Sequence, residues 1–413
     1  MQLTLQQIIA DFNTAISHTT LIYIVIIIGI FILLIELNQR LRPSSPLKLS
    51  TYDWKISKTS YGLEVEGWLE INNPHQRMEV MVPELRITTK LLGKEGVSQI
   101  KANTVIKTFH PDLDSRKDGY WQAYIVKSKK FTRASILIEL NDSDSIKTIS
   151  VVENIWLNIH WVNYGPFGRL KTRQGTVVPI QRPTPLSPEK AYFRKYKDCQ
   201  LLPIKTHLLS SNDNISDILK KYVVPIIRPG DVLTIGESPL AIIQGRYHHP
   251  SSIKPGIVAR TLCRAFHPTS SLATACGLQV LIDLVSPGRV IFGFLIGLSG
   301  KMVGIKGIFY RLAGEQARLI DDITGTIPPY DQTIVLGPKA PNELCKNLSK
   351  ELGINIAVVD VNDLGRVKIL AASDNSQKKL LKKALRVNPA GNANEQTPLV
   401  LIRPYQKTKG TIV

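Results

Sequence analysis

Apolar and polar residues alternate strictly in several short segments of the first half of the chain. The clearest are LEVEGWLEI (63–71), RASILIEL (133–140) and NIWLNIHWV (154–162). A period of two is typical of strands that bury one face. Turn-forming sequences such as NNP and NDSDS separate these segments, and no helical periodicity lies between them. The pattern predicts an all-β sandwich domain over about residues 50–182.

The pattern changes after a proline-rich segment that we interpret as a linker, residues 183–199. VLTIG (232–236) is a short apolar strand, and PNELCKNLSKELG (341–353) repeats leucine every four residues, as an amphipathic helix does. A second apolar strand, INIAVVDV (354–361), follows that helix directly. Alternating helices and strands predict an α/β (α+β) domain over residues 200–413.

One segment near the beginning of the chain has no polar face. TTLIYIVIIIGIFILLIEL (19–37) is almost wholly apolar and is long enough to cross a bilayer, which takes about 20 such residues. A buried core helix is the alternative, but the run of isoleucines around the helix makes a transmembrane helix over 19–38 the better prediction. A short segment, 1–18, precedes this helix, and 39–49 is the juxtamembrane linker.

The charges beside the predicted span set its orientation. No Lys or Arg precedes it, and the first basic residues after it are Arg40, Arg42, Lys48 and Lys55. Basic residues favour the cytoplasmic side. We therefore expect a single-pass membrane protein that contacts lipid through its N-terminal helix, with both soluble domains on the cytoplasmic side.

The composition narrows the choice of partners. The 413 residues include 52 Lys+Arg and 33 Asp+Glu, a formal net charge of +19. Such an excess implies an anionic neighbour, which can be lipid headgroups, nucleic acid or nucleotide phosphates. Nucleic-acid binding would depend on charge alone, so it is not expected. The four cysteines form no CxxC or zinc-site pattern, which favours free thiols in a reducing compartment.

An apolar strand ends in carboxylates at INIAVVDVNDLGR (354–366). Ligands of α/β sheets usually lie at the carboxyl ends of strands, so Asp360 and Asp363 are candidates for holding Mg²⁺ or Mn²⁺. Gly365 and Arg366 follow, and a guanidinium there can bind a phosphate bidentately. The alternative is that the two aspartates only cap a solvated loop.

A glycine-rich stretch is a second candidate site. SGKMVGIKGIFYRLAG (299–314) contains four glycines together with Lys301 and Lys306, which predicts phosphate contact through close backbone approach and positive charge. The alternative is that the glycines serve turns or tight packing, since the stretch matches no phosphate-loop pattern. The preceding apolar run, Val290 to Leu298, is too short to span a membrane and predicts a buried strand or helix.

Two families share features with this sequence. The order of strand, Asn73-Pro74 and VMVPELRITTKLL resembles the late-embryogenesis-abundant type-2 β-sandwich over 50–182. Residues 200–370 resemble the GTP-dependent γ-glutamyl ligases that add glutamate to the deazaflavin coenzyme F-420. The matching motifs, in order, are LLPIK, IIRPGDVL, QGR, IDDITG and VDVNDLGR.

The ligase resemblance implies a specific chemistry. Ligases of this family use GTP to phosphorylate a carboxylate, and the amine of glutamate then displaces the phosphate. Mg²⁺ or Mn²⁺ held by aspartates bridges the phosphates. The family's acidic positions fall on Asp321 or Asp322 and on Asp360, with Asp363 and Arg366 in support. The resemblance also implies an α/β ligase fold, a small-molecule carboxylate substrate and a homodimer.

Two features depart from the ligase pattern. The family's lysines after its G-D-V-L strand are replaced by ESPLAIIQGR (237–246), and its His-Gly…Asn-Ala-Gly segment by FGFLIGLSGKMVGIKGIFYRLAG (292–314). These departures leave a second hypothesis open, which is a membrane-tethered binding or scaffold protein that keeps the ligase fold without catalysis.

Overall fold

The computed structural model describes residues 19–35, 45–60, 62–116, 118–141, 150–305, 307–323, 327–391 and 395–405. The first element is helix α1 (Thr19–Ile35), whose apolar side chains are exposed all around the helix. Residues 36–38 of the predicted span lie outside the described residues. Within the described ranges, no single helix has both the length and the apolarity needed to cross a membrane.

Nine strands of the first half form two antiparallel sheets. One sheet has the order β1-β2-β7-β5, and the other has β4-β8-β3-β6 with β9 paired to β8. The strand bounds are β1 Lys48–Thr59, β2 Gly62–Asn72, β3 Val80–Val82, β4 Leu85–Gly93, β5 Lys101–Phe109, β6 Tyr124–Val126, β7 Phe131–Asn141, β8 Val152–Gly165 and β9 Gly168–Pro179.

The two sheets share one core, to which β2 and β7 contribute from one side and β8 from the other. Val65, Ile136 and Ile138 of the first sheet are fully buried with Ile155 and Leu157 of the second. Because every second side chain of a strand points to the same face, the alternation in the sequence places these residues between the sheets. The β-sandwich prediction is confirmed for this half of the chain.

The second half contains a mixed six-stranded sheet of order β10-β11-β18-β12-β16-β17 and a small sheet of order β13-β15-β14. The strand bounds are β10 Arg194–Tyr196, β11 Cys199–Ile204, β12 Val232–Gly236, β13 Tyr247–His248, β14 Asp321–Asp322, β15 Ile334–Val335, β16 Asn355–Val361, β17 Val367–Ala372 and β18 Leu399–Pro404. The helix bounds are α2 Ile215–Tyr222, α3 Glu237–Ile243, α4 Ile257–Leu262, α5 Ala275–Val285, α6 Pro287–Met302, α7 Ile308–Ala313, α8 Pro341–Leu352 and α9 Lys378–Ala384.

Both faces of the six-stranded sheet are covered. Leu233, Ile235 and Val358 pack with helices α2 and α8, whereas Val232 and Ala357, their neighbours along the strands, pack on the other face with α9. Burial on both faces explains why β12 and β16 are continuous apolar runs rather than alternating ones. The pair β12–β16 is parallel, with Gly236 opposite Val359, while β12 pairs antiparallel with β18.

An aromatic cluster joins the β-sandwich to the second half. Trp156 of β8 meets Tyr330 edge-on at a centroid distance of 5.5 Å, and Tyr330 meets Tyr247 at 5.2 Å. The Tyr247 hydroxyl donates to the carbonyl of Gly175 on β9 (2.8 Å). A Cβ at Gly175 would lie 1.9 Å from the Trp156 ring, so this position accepts only glycine without a shift of the ring.

We expect Trp156→Ala to lower the free energy of unfolding by about 3–5 kcal/mol, because it removes a buried aromatic side chain and leaves a cavity beside Tyr330. The measurement is chemical denaturation of the full chain in detergent, followed by circular dichroism. The matched control is Tyr192→Ala, an aromatic residue that is 79% exposed and should change stability by less than about 0.5 kcal/mol. Equal effects of the two variants would contradict the assigned role of the cluster.

Candidate functional site

A cavity of about 420 Å³ opens where β12, β16 and β14 end. Four acidic side chains line it, whereas none of the described residues that line it is a lysine or an arginine. The remaining wall is formed by apolar and neutral polar groups, including the buried ring of Tyr330 from the aromatic cluster. The acidic residues are Glu237, Asp321, Asp360 and Glu395.

Parallel strand pairing brings Glu237 and Asp360 together. Gly236 lies opposite Val359 in the β12–β16 ladder. The residues that follow these two in the chain are Glu237 and Asp360, so both carboxylates lie at the same edge of the sheet. Gly236 then begins the turn into α3, and its Cα lies so close to Pro239 that an added Cβ would be 3.2 Å from the proline ring. Pro239 suits this first helical turn, where its missing N–H is not needed.

Asp321 reaches the same cavity from the small sheet. It lies in β14 opposite Val335, and one of its carboxylate oxygens accepts a hydrogen bond from the Ser238 hydroxyl at 3.5 Å. Burial and the nearby Asp360 carboxylate raise the pKa of Asp321 to about 6, while the Ser238 hydrogen bond opposes the rise. Asp321 and Asp360 therefore converge in space although 38 residues separate them in the sequence.

Glu237 is the most deeply buried acid of the cavity. Its side chain is only 8% exposed, and within the described residues it makes no hydrogen bond or salt bridge. Burial, together with the charges of Asp360 and Asp321, raises the pKa of Glu237 to about 8, and the charge of Lys368 opposes the rise. A carboxyl group in this position is protonated near neutral pH unless a cation joins the site.

Lys368 is a cation that acts on this acidic cluster. It lies directly opposite Asp360 in the antiparallel β16–β17 pair, where cross-strand neighbours stand about 5 Å apart at Cβ. Its positive charge lowers the pKa of both Glu237 and Asp321. One ammonium group cannot neutralise three carboxylates, so the cluster keeps a net negative charge when all three are ionised.

Asp322 does not share the cavity with Asp321. Successive residues of a strand point to opposite faces, and the Asp322 carboxylate accepts a hydrogen bond from the hydroxyl of Thr274 instead. Thr274 is the N-cap of α5 and also accepts from the amide of Gly277 at 2.9 Å. Of the two candidate acids in IDDITG, the structure therefore brings only Asp321 to Asp360.

The predicted residues after Asp360 form a β-hairpin rather than a parallel-strand end. Gly365 adopts the left-handed conformation (φ 73°), and the Arg366 amide donates to the Asn362 side chain at 3.0 Å. Asp363 is exposed and accepts a hydrogen bond from the Asn388 side-chain amide at 2.7 Å. Asp363, Gly365 and Arg366 therefore lie outside the cavity lining, since the turn directs them towards solvent.

The glycine-rich stretch also lies apart from the cavity. Lys301 is exposed in the last turn of α6, and Lys306 lies outside the described residues. A Cβ at Gly297 would be 2.9 Å from Cβ of Phe309, and one at Gly300 would be 2.1 Å from Ile308. These glycines allow α6 and α7 to pack closely, so the alternative of tight packing accounts for them.

The cavity offers oxygen donors, which suit Mg²⁺ and Mn²⁺. Across the part of the chain that the structure describes, however, no three His, Cys, Asp or Glu side chains stand close enough to hold a metal ion by themselves. The carboxylates interact electrostatically, so they are near one another without forming a closed cage. This arrangement fits a Mg²⁺-type ion, which keeps water and phosphate ligands and takes only one or two carboxylates.

The sequence analysis did not identify Glu237 or Lys368. Glu237 begins the segment in which the family's lysines are missing, so the departure itself was the available signal. Lys368 becomes a neighbour of Asp360 only through the register of the hairpin, which a single sequence does not show.

The comparisons with known proteins concern the β-sandwich. Residues 48–182 match the family model of the N-terminal Ig-like domain of F420-0:gamma-glutamyl ligase, which relates the chain to that ligase family at the level of this domain. The late-embryogenesis-abundant resemblance of the same residues and the ligase resemblance of residues 200–370 stay predictions. A comparison with curated proteins gives no match.

Two solved structures share limited similarity. The PapD-like domain 7 of human CEP192 is 12% identical, with 33% of this chain and 87% of that chain covered. The yeast GGA1 GAE domain is 8% identical, with 34% and 96% covered. The TM-score is 0.18 in both cases, so neither similarity supports an argument.

We expect the metal-free protein to lose stability as the pH rises from about 5 to about 8. Glu237 and Asp321 have raised pKa values when folded, so the folded state binds more protons than the unfolded state in this range, and stability falls as those protons leave. Glu237→Gln should remove much of this slope, a change on the order of 4 kcal/mol at pH 8. Thermal unfolding midpoints across the pH range, measured with a chelator present, test this.

Glu395→Gln is the matched control, because Glu395 lines the same cavity but is exposed. This variant should keep the pH slope of the natural protein. A Glu237→Gln protein whose midpoint falls with pH as steeply as that of the unaltered chain would contradict the assigned burial of this carboxyl group.

Proposed function

We propose that this chain is a membrane-anchored ligase of the F420-0:gamma-glutamyl ligase type, which uses GTP and Mg²⁺ or Mn²⁺ to form an amide on a small-molecule carboxylate. The observation that carries the proposal is the convergence of Asp321 and Asp360 on one cavity. The match of residues 48–182 to the Ig-like domain of that ligase supports it. The identity of the carboxylate substrate is left open.

The charge of the cavity suits a metal-dependent reaction. Its lining carries acids and no lysine or arginine, so a nucleotide triphosphate would be repelled by the bare carboxylates. A divalent ion bound there would supply the positive charge that draws the phosphates in and neutralises charge during phosphoryl transfer. Asp321 and Asp360 are the residues that would hold it.

Three further side chains of the site would orient the carboxylates, change the local charge or transfer a proton. Lys368 stands across the hairpin from Asp360, and its positive charge lowers the pKa of Glu237 and of Asp321, so it would reduce the repulsion between the carboxylates. Ser238 orients the Asp321 carboxylate by its hydrogen bond. Glu237 lines the same cavity as Asp321 and Asp360, and it is the residue that would accept a proton from an attacking amine once a cation stabilises its carboxylate form.

A second candidate function is supported by a specific observation. The absence of lysine and arginine from the cavity lining removes the phosphate-binding cations that the resemblance leads one to expect. A protein that binds a ligand through this cavity without turnover, as a tethered scaffold, would need none of them. The two functions differ in nucleotide hydrolysis, which only the ligase performs.

The membrane anchor is part of the proposal and depends on α1. Its exposed apolar side chains leave no polar face for water, which is the surface expected of a helix in lipid. The chain would then cross the membrane once, with its soluble domains on the cytoplasmic side, which the flanking basic residues favour.

We expect Asp360→Asn and Asp321→Asn each to weaken Mn²⁺ binding by at least about tenfold, or about 1.4 kcal/mol, since each removes a carboxylate charge from the cation site. Titration of the full chain in detergent, with free Mn²⁺ followed by electron paramagnetic resonance, measures this. Asp363→Asn is the matched control, because that aspartate neighbours Asp360 in sequence but lies outside the cavity. An unchanged affinity in Asp360→Asn would overturn the metal assignment.

The ligase and scaffold functions are separated by nucleotide turnover. With Mn²⁺ present, the ligase should bind GTP in calorimetry and release GDP when glutamate and F420-0 are supplied. Asp360→Asn should abolish GDP release while its circular dichroism spectrum stays the same. Binding of Mn²⁺ without any binding of GTP, whichever of the two metals is present, would favour the scaffold.

We expect the full chain to float with lipid vesicles and to resist carbonate extraction. The double variant Ile27→Asp/Phe31→Asp should lose both properties, because each charge near the centre of a spanning helix costs about 2.5–3.5 kcal/mol. The conservative control Ile27→Leu/Phe31→Leu should float like the unaltered chain. Extraction of the unaltered chain by carbonate would contradict the anchor.

A further inference from the structure

The helix pair α5–α6 has an apolar face that the described part of the chain leaves uncovered. The two helices meet at Ser286 with a bend of 113°, and together they are apolar enough to pass for a membrane segment. Within α6, Phe292 is 58% exposed and Leu295 is 56% exposed, and Met302 at its end is 84% exposed. The residues of this face, which we call the α6 face, are Ile291, Phe292, Leu295, Ile296, Leu298 and Met302.

The α6 face is distinct from the face that packs against the protein. Val290, Gly293 and Gly300 are buried, and glycine at 293, 297 and 300 lets α7 approach closely. The apolar run from Val290 to Leu298 predicted a buried element, and only the side of α6 that packs against α7 is buried. Contiguous exposed apolar surface of this kind marks a binding face rather than an ordinary surface.

The charges around the α6 face favour an anionic surface. Residues 284–314 contain Arg289, Lys301, Lys306 and Arg311 and no aspartate or glutamate. Lys301 is exposed in the last turn of α6 beside Met302, whereas the exposed Arg289 donates to the Leu312 carbonyl of α7, the helix that also carries the exposed Arg311. The exposed acids Asp283 and Glu315 lie just outside this range. Basic residues that border an apolar helix face are the combination that binds anionic lipid at the membrane interface.

The proposed anchor keeps this face near a membrane. Only residues 36–47 separate α1 from β1, and twelve residues reach at most about 40 Å when fully extended. A tether of this length raises the effective concentration of lipid at the α6 face, so a weak interfacial contact becomes populated. A helix pair bent by 113° is not suited to cross a bilayer as one straight helix. A helix that lies along the membrane interface does not need the length of a membrane span.

We propose that the α6 face is a second membrane contact, which lies in the headgroup region of an anionic bilayer and holds the soluble part of the chain in a fixed orientation on it. This inference rests on the anchor proposed above. It adds a lipid-binding surface on a helix far from α1 in the sequence and gives the acidic cavity a defined direction relative to the membrane.

The test uses tryptophan quenching by brominated lipid in the full chain. Leu295→Trp and the control Leu364→Trp each add one tryptophan at an exposed leucine, and Leu364 is 92% exposed in the β16–β17 hairpin. The proteins are reconstituted into vesicles of brominated phosphatidylcholine with 30% phosphatidylglycerol, a proportion of about one anionic lipid in three. The signal of the unaltered chain, which has five tryptophans, is subtracted.

The expected result is that the added tryptophan at position 295 is quenched at least about twofold and shifts to shorter wavelength, while that at 364 does neither. Flotation without extra quenching at 295 would overturn the α6 contact and leave the anchor intact. A shift to shorter wavelength without quenching would overturn it in favour of a second copy of the chain or another protein covering this face. Failure to float would overturn both the contact and the anchor.

A second variant tests whether the quenching at position 295 depends on the apolar character of the α6 face. Phe292→Asp added to Leu295→Trp should restore the fluorescence of a water-exposed tryptophan, because a carboxylate next to it opposes insertion into an anionic interface. Its flotation should be unchanged, since α1 is intact. Quenching that persists in this double variant would overturn the α6 contact.

Discussion

The parallel pairing of β12 with β16 is the constraint on which the candidate site depends. It is the one parallel ladder among the described strands of the six-stranded sheet, and it aligns Gly236 with Val359 so that two carboxylates follow at the same edge. A shift of one residue would turn Asp360 to the opposite face of the sheet. The buried valines and isoleucines on both faces of these strands hold the register.

The β-sandwich stabilises the same site from outside. Trp156 contacts Tyr330, and the Tyr330 ring is both part of that aromatic cluster and part of the cavity wall. Its hydroxyl donates to the Leu209 carbonyl at 3.0 Å, which fixes a neighbouring segment of the wall. The domain matched by the ligase family model therefore contributes to the shape of the cavity although it supplies none of the acids.

The features that the sequence could predict are those that depend on residues close together in the chain. Strict alternation over 63–71 depends on neighbours within one strand, so it predicted the sandwich directly. Asp360 was identified from its position at the end of an apolar strand, and Asp321 because its motif resembles a known family. Their convergence could not be seen in the pattern. Lys368 and the exclusion of Asp322 depend on strand register, and Glu237 on a strand-to-helix turn, so these became visible only in three dimensions.

The distribution of charge links the cavity to the membrane. The chain carries +19 overall, yet it collects four acids around one cavity and places cations elsewhere on its surface. Burial of Glu237 and Asp321 costs stability above their raised pKa values, which a purely structural cluster would have no reason to retain. In the proposed function, a divalent cation would offset that repulsion, while the surface cations would remain available to anionic lipid. The proposed phosphate-bearing substrate at the cavity and the proposed membrane contact at the α6 face would then not compete for the same charges.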